Sequence, residues 1–331
     1  MAAAVLVLIV ISSLAILFIG WRNKLGNERK ELQQLWAEGA WEQVFLISRD
    51  RLADKPMDFF LLTLNGFSAF QMAIAQINDS DTKTYIDACI WSLRKALQCK
   101  EALGDPRILY VLGKAYYHTG KHSAGDIFNE ELSGYEDLAV QFLEAAWDGY
   151  QASGMHVPGD LPEYLGLAYA AIHDYRKSVE AFSLALSAVS PGVGGEDKSG
   201  SSDPDPSPGV TAPADLLLLV MAQSYIALGD QPSADTARAY LVQCVETSTD
   251  SRTKIRARFL LGELFEKSGD VSQAEAQYLT ILEENGENAE AHFQLGELYA
   301  AGGDSIRARA EWRKTVRIDP AHRGARQRLN M

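Results

Sequence analysis

The sequence predicts an all-α body of stacked helix-turn-helix hairpins behind a single membrane-spanning helix. Three observations carry this expectation. From Asn27 onward, apolar residues recur at i, i+3, i+4 and i+7 between breaks of Gly, Asp and Pro, with no strand-like alternation. The decapeptide LGELFEKSGD, Leu261–Asp270, returns 34 positions later as LGELYAAGGD, Leu295–Asp304. Finally, Ala2–Gly20 carries no charge, over about the 20 residues a helix needs to cross hydrocarbon.

Composition sets the outer limits. A chain of 331 residues exceeds one compact core and implies two domains or an extended array. Its net charge of −13 and pI near 5.0 exclude a nucleic-acid partner, because phosphate binding needs a basic face. Cys89, Cys99 and Cys244 show neither C-x-x-C spacing nor an even count, so they are expected to be small buried apolar side chains.

The first element, residues 1–24, is expected to be an uncleaved anchor with its basic flank, contacting the lipid bilayer through residues 2–20. Trp21 suits the interface. Ser13-Leu14-Ala15 resembles a cleavage site, but the apolar run continues past it and no Lys or Arg precedes it. Arg22, Lys24, Arg29 and Lys30 follow the span, which puts the body on the cytoplasmic side. Glu28 and Glu31 dilute that bias, so a periplasmic or extracytoplasmic body is the alternative.

Residues 25–101 contain two degenerate hairpins. The stretch Glu28–Pro56 keeps Gly39, Trp41 and Pro56 as turn and stop. Met57–Ala73 followed by Thr84–Gln98 supplies the second. In residues 102–190 the pattern Leu-Gly-x-x-Tyr appears at Leu112–Tyr116 and Leu165–Tyr169. The second helix of the first unit is delayed by about 14 residues, so an insertion is expected around Lys121–Gly134. Residues 191–213 are Gly, Ser, Pro and Asp with almost nothing to bury, and are expected to be a disordered loop. This loop accounts for the spacing from Gly166 to Ala222, which exceeds one 34-residue period by 22.

Residues 214–320 should hold three hairpins. Leu261, Gly262, Phe265, Gly269, Asp270, Ala274 and Tyr278 recur as Leu295, Gly296, Tyr299, Gly303, Asp304, Ala308 and Trp312. Each position has a steric task. Gly296 and Ala308 let two antiparallel helices approach, Leu295, Tyr299 and Trp312 supply the apolar stripes, Gly303-Asp304 makes the corner, and Asp319-Pro320 stops the second helix. The pattern resembles the tetratricopeptide repeat, a 34-residue helix-turn-helix unit with small-x-x-Tyr, Ala-x-x-x-Phe and terminal Pro signatures. Two departures occur, with His292 where the family often has Trp and Gly286 where the terminal Pro of the preceding unit would stand.

The resemblance implies a right-handed superhelical solenoid whose concave groove is lined by the first helix of each pair. Proteins or peptides would bind there, at Arg107, Tyr110, Lys114 and Tyr117, at Arg256, Phe259, Glu263 and Lys267, and at Phe293 and Glu297. Tyr110 and Phe259 could equally pack between hairpins, whereas Lys114 and Lys267 would stand free to meet carboxylates. The family's clamp for a C-terminal carboxylate is missing, since Gln223, Glu263 and Glu297 take its places. The basic end, residues 321–331, is expected to form a short cap.

Catalytic chemistry finds little support. No phosphate-binding, dinucleotide, zinc-protease or serine-hydrolase motif occurs, and no cofactor or metal is expected. His118 and His122 straddle a turn near Asp126, which is poor ligand spacing. Asn78-Asp79-Ser80 matches a glycosylation sequon and is expected to be a loop. The chain is therefore expected to be a non-catalytic, membrane-tethered scaffold that assembles a membrane-associated complex. The alternative is a structural part of a cell-envelope machine attached through hairpin ends.

Overall fold

The computed structural model describes residues 29–75, 79–103, 105–119, 135–189 and 212–330. The expected anchor, the residues around His122 and Asp126, Asn78, and nearly all of 191–213 lie outside them. Among the described residues there is no strand, and no helix is long and apolar enough to cross a membrane.

The described residues divide into two compact units, the first reaching Tyr164 and the second starting at Leu165. Helix α1 covers 29–37, followed by α2 (Trp41–Asp54), α3 (Phe59–Ala75), α4 (Asp79–Ala96), α5 (Pro106–Thr119) and α6 (Glu136–Ser153). Helix α7 (Leu161–Ala171) crosses the division. The second unit continues with α8 (Tyr175–Val189), α9 (Ala214–Leu228), α10 (Gln231–Thr247), α11 (Ser251–Ser268) and α12 (Val271–Glu284). It ends with α13 (Ala289–Ala301), α14 (Ser305–Ile318) and the short α15 (Arg323–Arg328).

One contact recurs inside the hairpins. Gly66 faces Leu93, Gly113 faces Leu143, Gly166 faces Phe182, Gly262 faces Tyr278 and Gly296 faces Trp312. A Cβ on Gly262 or Gly296 would lie 2.5 Å from the opposing ring, so only glycine lets the two backbones close to this distance. The corners follow a second rule. The side chains of Asp230, Asp250, Asp270, Asn288 and Asp304 each accept the backbone N–H three residues on, satisfying an orphan donor. Gly269 and Gly303 turn the chain at φ +80° and +82°, where a side chain would be strained.

The last hairpin is covered. Ala257, Ala291 and Ala325 recur at the 34-residue spacing and are all fully buried, so α15 begins a third copy of the same first helix. Ala325 of α15 and Leu329, which caps its end, pack with Trp312 and Phe293.

Two expectations need correction. Asp79 and Ser80 open α4 and do not form a loop, and Cys99 is only partly buried while Cys89 and Cys244 are in the core.

Candidate binding pocket

In the first unit, residues of α1 and of the starts of α3 and α5 meet around a cavity of about 520 Å³, within the range of ligand sites. Its lining includes Arg29 from α1, Phe59, Phe60 and Thr63 from α3, and Arg107 from α5. Local sequence explains the carboxylates at its mouth. Asp58 caps α3 by accepting from Leu61 N at 3.1 Å. Asp105 serves α5, accepting from Arg107 N at 3.0 Å and from the Arg107 guanidinium at 2.9 and 2.8 Å. Pro106 opens α5, the position where its missing N–H costs nothing.

Charge in the pocket is partly spent. The Arg107 fork lies on Asp105, with both side chains largely buried. Arg29 lies over the Phe60 ring at 5.0 Å and 3.9 Å from Asp58, and it remains mostly exposed. Glu101, on the 3-10 turn Lys100–Ala102, makes no hydrogen bond or ion pair among the described residues. Thr63 is buried, and its hydroxyl has no partner among the described residues. Met57, an exposed apolar side chain, is part of this lining. The site therefore combines aromatic walls with an unspent carboxylate and an accessible guanidinium, a composition suited to a polypeptide carrying both apolar and charged side chains.

The ten residues expected to line a groove fall into different settings. Arg107 belongs to the pocket. Tyr110, Lys114 and Tyr117 do not face solvent. Lys114 is 7% exposed, and its ammonium donates to Asp160 at 2.7 Å and to the Tyr110 hydroxyl at 3.0 Å. Phe70, Tyr110 and Tyr164 surround it at 5.2, 4.8 and 4.5 Å from the ring centroids. The expectation of a free Lys114 thus fails because a carboxylate and three rings stabilise the cation inside the unit. The Tyr110 hydroxyl donates to Asp160, and burial together with that carboxylate pushes its pKa far up. His118 contacts the Tyr164 hydroxyl at 2.9 Å. Among the described residues no cluster of His, Cys, Asp and Glu could hold a metal.

In the second unit, Arg256 is half-buried and Phe259 packs 6.0 Å from the Tyr278 ring. Glu263 and Lys267 are exposed on α11. Desolvation raises the Glu263 pKa, Glu266 and Glu290 push the same way, and Lys267 opposes them. Phe293 lies under His322, with ring centroids 4.6 Å apart. Glu297 receives the Arg328 guanidinium at 2.9 and 2.5 Å. Both are therefore covered by α15 and its flanks.

Sequence reasoning missed Arg29, Phe60, Thr63, Glu101 and Asp160. Asp160 stands in Gly-Asp-Leu-Pro at a helix start, where it looks like a cap, and nothing in the sequence links it to a lysine 46 positions away.

Residues 259–322 match the tetratricopeptide repeat family. The fold is similar to that of the C-terminal part of a TPR repeat-containing protein from Cytophaga hutchinsonii, at 12% identity and a TM-score of 0.56, covering 92% of this chain and 100% of that one. YrrB, described as a TPR protein with an unusual peptide-binding site, is 18% identical with a TM-score of 0.45 over 72% of this chain and 98% of its own. No curated protein matches the sequence.

Proposed function

We propose that this chain is a non-catalytic, membrane-tethered scaffold that gathers proteins into a membrane-associated complex. Tetratricopeptide repeats over 259–322 support a protein-interaction role. The carrying observation is the pocket of about 520 Å³ between α1 and the starts of α3 and α5, with Phe59, Phe60 and Met57 as apolar walls and Arg29 and Glu101 as polar contacts. Tethering through Ala2–Gly20 would hold this pocket near membrane partners, so a modest intrinsic affinity would suffice. The alternative, a structural part of a cell-envelope machine attached through hairpin ends, has less support at the C-terminal end, where Ala325 packs with Trp312.

Two measurements test the proposal. A photoreactive residue at Met57 in the full chain should yield protein adducts that vanish with Phe60→Ala and Glu101→Arg, while the same group at Leu184, exposed in the other unit, should not. Identical adducts from both positions would remove the pocket assignment. Alkaline extraction should leave the full chain in the membrane pellet, and a chain lacking residues 1–24 in the supernatant; loss of both to the supernatant would remove the tether.

A further inference from the structure

Helix α14 carries an unbalanced face. Arg309, Arg313 and Arg317 are exposed and recur every fourth residue, which places them in one row. At 1.5 Å per residue the rungs are about 6 Å apart and the row spans about 12 Å. Ile306, 83% exposed, stands on the same side one turn earlier. The opposite side holds Ala308, Trp312 and Thr315, which are buried.

These three arginines have no carboxylate partner among the described residues, although their neighbours do. Arg307 pairs with Asp304 and Lys314 with Glu311. Like charges four apart oppose helix formation, so helix stability does not account for the row. The imbalance is local to this end. Ser305–Leu329 holds eight Arg and Lys against two carboxylates, in a chain of net charge −13.

We infer that this row is a docking surface for a short, extended acidic segment of a partner protein, separate from the pocket. Carboxylates at alternate positions of an extended strand lie on one face about 6.6–6.8 Å apart, close to the spacing of the arginine rungs. Each guanidinium fork then meets one carboxylate, and Ile306 meets an apolar residue at the end of the segment. The footprint suits a segment of three acids and one apolar residue. A nucleic acid or a bilayer offers a field of phosphates far broader than a row of about 12 Å can match.

The test uses the full chain and a fluorescein-labelled peptide with Glu at three alternate positions and a terminal Leu. Anisotropy should show binding that weakens as salt rises. The triple variant Arg309→Gln, Arg313→Gln, Arg317→Gln should lose about tenfold or more in affinity. Triple replacement by Lys should fall between, because charge remains while the fork is lost. A peptide with Gln for Glu should not bind. Equal affinity of the wild-type and Gln-triple proteins for the acidic peptide would overturn the inference. So would tighter, row-dependent binding to a single-stranded oligonucleotide of equal charge or to phosphatidylserine vesicles.

Discussion

The Lys114 ammonium donates to the Asp160 carboxylate at 2.7 Å inside a box of three aromatic rings. This contact ties the middle of α5 to the residue just before α7. Removing one partner leaves the other charge buried, so Lys114→Ala should cost about 3–5 kcal/mol. The double change Lys114→Met, Asp160→Asn leaves no buried charge and keeps an acceptor for Tyr110, and it should cost less than Lys114→Ala alone. Urea unfolding midpoints check this, and an additive double variant would contradict it.

Gly262→Ala drives a methyl group toward the Tyr278 ring at 2.5 Å and should destabilise by about 1–3 kcal/mol through overpacking. Pairing it with Tyr278→Leu should return part of the loss. Thermal melts of the single and double variants read the recovery.

Thr63→Val replaces a buried hydroxyl without a partner by a methyl group of similar size. An unpaired buried hydroxyl costs about 1–3 kcal/mol, so this variant should raise stability by about 1 kcal/mol. Its denaturation midpoint should rise with an unchanged m-value.

The Tyr299 hydroxyl donates to Glu275 at 2.6 Å. Desolvation first, then that hydrogen bond and its charge, push the phenol up to about 12 from 10.0. A raised pKa favours the protonated phenol in the folded state. The associated stability is complete below pH 10 and is lost as the pH rises through about 10 to 12. Ultraviolet titration of wild type minus Tyr299→Phe should show the late transition, and Glu275→Gln should move it down.

The hairpins were legible because their signals are local. Leu295, Gly296 and Tyr299 mark a first helix, and Asp304 marks the corner, each within four or five residues of its neighbour. The pocket was not legible, since Arg29, Phe60 and Arg107 meet only when three helices separated in sequence converge. The family frame named groove positions by their place in the repeat, yet that place does not reveal coverage. Phe293 and Glu297 satisfy the frame and lie beneath α15. Lys114 also satisfies it, while its partner Asp160 enters from outside the hairpin.

The glycine contacts inside the hairpins carry a lesson about tolerance. Gly166–Phe182, Gly262–Tyr278 and Gly296–Trp312 close over 16 positions, whereas Gly66–Leu93 closes over 27 and Gly113–Leu143 over 30. The same lock forms whatever the length of the connector, and lengthening a connector costs little entropy. Each hairpin is thus a fastener with a replaceable strap. A fluorescent or affinity tag spliced between Gly120 and Gly134 should leave the α5–α6 pairing in place.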